Sequence, residues 1–238
     1  MKTKYLFLAF FMIAVLSSCA GTVLTEPQVG ARAADGALLA ALAETPGQKS
    51  LFSSDSAILS DDEIMRILAH RLLLPKQSKI GILSLGRSYW SGWSDELART
   101  GSEVQSTLVA KLKSCSSVFD ASYLPNLLIP EKRTVGHFRE AAARYQVDLL
   151  LIYQASCSTY EKYRFLSPDK LKSYCTVEAV LLDTRTGIVP FTATASRDFV
   201  AEKSDADLNL METMRRVELN ALRETLGEIG DKVVAFLE

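Results

Sequence analysis

The sequence is poor in the residues that most enzyme and metal sites are built from. It holds two histidines, His70 and His137, in 238 residues, and no Cys-x-x-Cys or His-x-x-x-His pair, so the ligand sets of common zinc sites are missing. A phosphate-cradling glycine loop and a nucleophile elbow are also absent. No charge of one sign dominates. Lys and Arg number 27 against 28 Asp and Glu, for a formal net charge of −1, which excludes the basic footprint of a nucleic-acid binder. No apolar run reaches the roughly 20 residues needed to cross a bilayer. These absences favour a non-catalytic protein, and no cofactor or metal is implied.

What is present begins at the amino terminus. Lys2 and Lys4 precede an apolar run from Tyr5 to Leu16, followed by Ser17 and Ser18, the layout of a secretory signal. Leu16-Ser17-Ser18-Cys19 resembles the bacterial lipoprotein box, an aliphatic residue and two small ones before a cysteine. That resemblance implies a signal peptide over residues 1–18, cleavage before Cys19, a diacylglyceryl group on its thiol and an acyl chain such as palmitate on the new amine. One acyl chain holds a protein marginally, at about 0.8 kcal/mol per buried CH₂, and two hold it stably. Ala20 stands where an Asp in Gram-negative lipoproteins favours the inner membrane, so the resemblance implies the outer membrane, with the rest of the chain in the periplasm. The alternative is an ordinary signal peptide followed by an incidental cysteine.

Removing residues 1–18 takes away two lysines and no acid, moving the net charge from −1 to −3. Residues 19–59 are rich in Ala, Gly, Thr, Ser and Pro and read as a tether. About 40 flexible residues would have an r.m.s. span of roughly 35 Å. A docked, ordered arm is the alternative.

Residues 60–238 read as one α/β (α+β) domain. Ser60 to Glu63 form a capping box, and Ile64, Ile67, Leu68 and Leu72 follow on one helical face until Pro75. Strand 79–85, helix 95–113, strand 117–124, helix 134–145 and strand 147–155 alternate in βαβαβ order. Segments 174–183 and 188–199 flank "TRTG", where Gly187 suits a tight turn, and so form a hairpin. Ser204 or Asp205 is expected to cap a terminal helix running towards Phe236. Alternating strands and helices predict parallel neighbours, and the hairpin adds antiparallel strands. The expected fold is a mixed sheet of about five strands with helices packed on it.

"KIGILSL", "AAARYQVDLLLIYQA" and "VEAVLLDTRTGIVPF" resemble envelope lipoproteins related to the TolB amino-terminal domain. This group includes the curli secretion channel and the lipoprotein activators of penicillin-binding proteins. The spacing is also similar to that of rhombotarget lipoproteins. The shared features are a first strand after a Lys, a helix leading into Val-Asp and an apolar strand, and an aliphatic strand ending D-x-x-T-G. They imply a domain that docks onto an envelope protein partner, or a structural subunit of a multi-protein envelope or secretion assembly formed by self-association.

Chemistry-bearing motifs are few. Ser167-x-x-Lys170 matches the nucleophile motif of penicillin-binding enzymes, but its companion elements are missing: the nearest to K-T-G is Arg185-Thr186-Gly187, in the expected hairpin turn. His137 and Glu140, spaced i, i+3, read as a surface pair. The acids Asp61, Asp62 and Glu63 favour a helix's first turn without any ion. The candidate partner-binding surface is aromatic. Tyr89, Trp90 and Trp93 follow the first strand, and Tyr160, Tyr163 and Phe165 follow the third. If those strands are parallel, both loops leave one edge of the sheet, where ligands gather in open α/β folds. Equally, Trp90 and Trp93 could cap the core. Past Cys19, Cys115, Cys157 and Cys175 remain. Cys157 and Cys175 would face each other if their strands pair antiparallel, giving a disulfide or two free thiols; Cys115 reads as a buried small hydrophobe.

Overall fold

The computed structural model describes residues 51, 59–71, 73, 75–86, 94–162, 170–202 and 209–238. The compact unit spans residues 45–238. Its elements are α1 (Asp61–Ala69), β1 (Ser78–Leu85), α2 (Asp95–Lys113), β2 (Val118–Tyr123), a 3-10 turn (Asn126–Leu128), α3 (Val135–Arg144), β3 (Leu149–Lys162), β4 (Lys170–Asp183), β5 (Phe191–Glu202) and α4 (Leu210–Leu237). The strands form one sheet in the order β2-β1-β3-β4-β5. β1 is parallel to β2 and β3, while β3–β4 and β4–β5 are antiparallel. The mixed five-stranded α+β fold expected from the sequence is therefore the fold observed.

Alternation along the strands sends side chains to two separate cores. Leu149, Leu151, Tyr153 and Ala155 of β3, with Cys175, Val177, Ala179 and Leu181 of β4, pack against α2 and α4. Leu150 and Ile152 of β3, with Leu83, Leu85 and Leu182, pack beneath Phe138, Ala141 and Ala142 of α3. β3, apolar on both faces over its first half, is the central strand. Gly81 is closely packed beside it: a Cβ there would lie 2.8 Å from Leu124 Cδ1 and 3.0 Å from Val147 Cγ2, and those methyls would have to shift to admit it.

The helix ends are set by local chemistry. Ser60 and Glu63 make the reciprocal capping box. Thr134 caps α3 through His137 N–H. Gln146 closes α3 in the left-handed region (φ 56°), with Gln146 N–H donating to Ala143 O at 3.0 Å and Val147 N–H to Ala142 O at 3.1 Å, a Schellman pattern. α4 is capped by Asn209, whose Oδ1 accepts from Glu212 N–H at 3.0 Å. The cap expected at Ser204 or Asp205 is thus displaced to Asn209; those two residues lie outside the described ones.

The lysine, Val-Asp and D-x-x-T-G features meet at one end of the sheet. Asp148 Oδ2 accepts from Lys79 N–H at 3.0 Å and Oδ1 from Arg185 Nη2 at 2.8 Å, while Asp148 O accepts from Thr184 N–H at 3.0 Å. Arg139 donates from α3 to the carbonyls of Thr184 and Arg185. Asp183 Oδ2 accepts from Thr186 N–H at 2.8 Å, and Gly187 takes φ 78°. These residues clamp β1, β3, α3 and the β4–β5 turn together, so the motif has a structural task.

Four elements depart from expectation; β5 runs over Phe191–Glu202 rather than 188–199. β3 runs to Lys162 and β4 starts at Lys170, where extended segments ending at 155 and starting at 174 were expected. α1 ends at Ala69, capped by His70, and none of its residues is buried, so Ile64, Ile67 and Leu68 are not part of either core.

Candidate functional site

The extra length of β3 and β4 creates the site. β1 ends at Leu85, opposite Gln154 of β3, and β3 continues eight residues further to Lys162. β4 and β5 follow it outward, pairing Tyr160–Lys172–Val200, Ser158–Tyr174–Asp198, Ser156–Thr176–Ser196 and Gln154–Glu178–Thr194. At about 3.3 Å per residue and 4.8 Å between strands, this three-stranded arm measures about 26 Å by 10 Å.

The two faces of the arm differ. One is sealed by α4. Leu171, Ser173 and Cys175 are fully buried there, and Thr159 Oγ1 donates to Glu218 Oε1 and shares a hydroxyl–hydroxyl hydrogen bond with Ser173 Oγ, each at 3.1 Å. Arg215 Nη1 holds the other carboxylate oxygen of Glu218 at 3.0 Å. Cys157 and Cys175 are joined by a disulfide across the ladder, with the Cys175 sulfur 3.5 Å from Glu218 O. The short Cα–Cα distance of 4.1 Å marks a pair without mutual backbone hydrogen bonds, where side chains stand closest.

Among the described residues the opposite face is uncovered, because α3 reaches only as far as Ile152 and Val180. Beyond them it presents Ser, Thr, Tyr and Lys side chains. Tyr160 is 64% exposed, Tyr174 47% and Val200 51%. Thr176 and Ser196 share a hydrogen bond of 2.8 Å. Lys172 Nζ donates to Asp198 Oδ2 at 2.9 Å and lies 5.0 Å from the centre of the Tyr174 ring; its bond to Asp198 holds the ammonium above the usual lysine range. The result is a polar, already ordered sheet face with two tyrosines and few free charges.

Of the expected aromatic surface, Tyr160 is on this face. Tyr89, Trp90, Trp93, Tyr163 and Phe165 lie outside the described residues, as does Ser167. β1 and β3 do point the same way, but their carboxyl ends are eight residues apart, about 26 Å of strand. Both strands therefore run to the same end of the sheet, as expected, with the end of β3 lying further out than that of β1. Tyr174 was missed as a site residue; the alternation of exposed Lys172, Tyr174 and Glu178 with buried Leu171, Ser173 and Cys175 is the signal that marks it. Cys115 is buried and carries a free thiol. His137 is engaged by Thr134 at 2.7 Å, while Glu140 pairs with Arg144 rather than with His137.

Elsewhere, a shallow depression of about 810 Å³ lies along α2 between Asp95 and Ser106. Its hydroxyls turn back onto their own helix, Ser102 to Ala98 O and Ser106 to Glu103 O, each at 3.0 Å. Among the described residues no group of three His, Cys, Asp or Glu is placed to hold a metal, and no helix is long and apolar enough to cross a membrane.

No family profile matches the sequence, and no curated protein matches it significantly. Solved structures of similar fold include a minor lipoprotein of Acinetobacter baumannii (6% identity, 66% of this chain and 93% of that one, TM-score 0.36). Lipoprotein GNA1162 of Neisseria meningitidis is similar at 12% identity, covering 67% and 97%, with a TM-score of 0.32. The PelC dodecamer of Paraburkholderia phytofirmans matches at 14% identity, covering 66% and 90%, also with a TM-score of 0.32. The solved structures that this chain resembles thus include bacterial lipoproteins; at these scores the likeness carries no functional argument.

Proposed function

We propose that this chain is a non-catalytic lipoprotein of the outer membrane, anchored through Cys19. Its α/β domain, similar to the TolB amino-terminal-domain group, docks onto an envelope protein in the periplasm. The observation that carries the docking reading is the arm, with one face sealed by α4 and the disulfide and the other left open around Tyr160 and Tyr174. Tyrosines on a rigid strand offer large contact area at small entropic cost, and Ser and Thr beside them supply hydrogen bonds.

Self-association through the sheet edge is the second reading. On β5 that edge is guarded: Lys232 Nζ donates to Thr194 O at 2.7 Å, and Arg197, Asp198 and Glu202 are charged, features that discourage strand addition. This supports docking by the face.

The test is capture of the native chain and of a Tyr160→Glu/Tyr174→Glu variant from chemically crosslinked, detergent-solubilised envelopes. Both tyrosines are exposed, so the variant keeps the fold. One envelope protein enriched with the native chain and lost with the variant supports the reading; co-purifying proteins unchanged by the variant overturn it.

A further inference from the structure

α1 is an amphipathic helix, and among the described residues no other helix or strand packs on its apolar side. Ile64, Met65, Ile67 and Leu68 lie on one side of the helix, with Asp61 of the first turn at the edge from which that side starts, and Asp62, Glu63 and Arg66 lie opposite. They are between 41% and 74% exposed, and Leu59 and Leu73, just outside the helix, are exposed as well. Isolated helices shorter than about 12–15 residues are marginal in water. Nine residues with a single capping box therefore need a surface to lie on.

Three observations select the surface. A nine-residue helix about 13 Å long and about 10 Å wide offers a footprint on the order of 130 Å², far short of the roughly 800 Å² per partner of a specific protein interface, whereas a lipid surface needs no shape complementarity. The acids of this segment are confined to the first turn, where Glu63 is occupied by Ser60 N–H and Oγ at 2.8 Å each. Beyond it come Arg66, His70, Arg71 and Lys76, the side chains that suit a phospholipid headgroup region. Finally, α1 is the first described helix after Cys19, about 40 residues away, so an acylated Cys19 makes any contact of α1 with the same leaflet intramolecular and lets a weak contact suffice.

We infer that α1 is a membrane-surface helix that lays Ile64, Met65, Ile67 and Leu68 on the phospholipid leaflet holding Cys19. The lipid is the anchor, and α1 fixes how far from the membrane the domain stands. The inference rests on the anchor reading, and the two fail separately.

The test is hydrogen–deuterium exchange of the purified mature chain, free and on phosphatidylethanolamine/phosphatidylglycerol vesicles, with an intact-mass spectrum reporting the state of Cys19. Amides of residues 61–69 should exchange at least about tenfold more slowly on vesicles, and Leu68→Asp, which disturbs no packed core, should abolish that protection while leaving the rest of the pattern unchanged. Equal exchange of 61–69 with and without vesicles overturns the inference. So does protection that rises with protein concentration in the absence of lipid, since a second copy then covers the helix. An unmodified Cys19 overturns the anchor but leaves the α1 measurement readable.

Discussion

Opening the Cys157–Cys175 bridge should cost the domain about 3 kcal/mol. The two residues are 18 apart in sequence. A cross-link over such a loop removes about 11 cal/mol/K from the unfolded chain on the chain-entropy model, or about 3 kcal/mol at 25 °C. Cys175 is fully buried under α4, so replacing both cysteines with alanine adds a small cavity, roughly 1 kcal/mol or less at the scale of a single heavy atom. The reduced native chain keeps both sulfur atoms and should show the entropic part alone. The assay is urea unfolding of the oxidised chain, the reduced chain and the Cys157→Ala/Cys175→Ala variant. The m-value should rise in the latter two, because an unbridged denatured chain exposes more surface. For a domain of this size the loss corresponds to roughly 6–12 °C in Tm. A reduced chain within about 1 kcal/mol of the oxidised one, with an unchanged m-value, would refute the reasoning. It would mean that the β3–β4 ladder already pairs the two strands in the denatured ensemble.

Asp148→Asn should destabilise by about 2 kcal/mol, in the range for hydrogen bonds to a charged group, since it weakens the contacts to Lys79 N–H and Arg185; thermal unfolding measures it, and Arg185→Ala, which leaves the Lys79 contact in place, should show only part of that loss. Gln146→Gly should stabilise by about 0.5–1 kcal/mol, because it relieves a non-glycine residue at φ 56°, and chemical denaturation reads the gain. Glu228 is held below the ordinary carboxylate range by its hydrogen bond to Lys232 and the charges of Lys232 and Arg197, and Asp120 by its hydrogen bond to Lys113. A folded pKa below the unfolded one stabilises above the unfolded value and loses that contribution as pH falls through the folded one. Stability should therefore fall below about pH 4, and Glu228→Gln should flatten that decline; an unchanged acid slope would count against the pair. At the alkaline end, burial against Tyr153 pushes the Tyr123 phenol far above its usual range. Its ionisation should therefore be seen only as the domain unfolds, and absorbance at 295 nm will follow it.

The parts of the fold that were legible are those where one residue's chemistry decides locally. The apolar runs in "KIGILSL" and "VDLLLIYQA" marked β1 and the first half of β3; the capping box marked the start of α1, and Gly187 in "TRTG" marked the β4–β5 turn. The far half of β3 was illegible because only one of its faces meets a helix. Ser156, Ser158 and Tyr160 face solvent, so "SCSTYEKY" reads as loop until α4 is known to cover Thr159 and Cys157. The cap at Asn209 was hidden for a similar reason, since Ser204 and Asp205 offer the same chemistry a few residues earlier. The role of Asp148 depends on partners 69 and 37 residues away, a distance no local pattern carries. The candidate site followed suit: one tyrosine of the open face was visible from its loop-like surroundings, and its neighbour Tyr174 emerged only once the register of β4 was fixed.

The most direct test of docking through the open face is a photo-crosslinking residue placed at Tyr174 in living cells, with the same residue at Ser102 on the outer face of α2 as the comparison. Docking through the arm predicts an adduct with one recurrent envelope protein at Tyr174 and none at Ser102. Equal adducts at both positions, self-adducts alone, or no adduct at Tyr174 would contradict it.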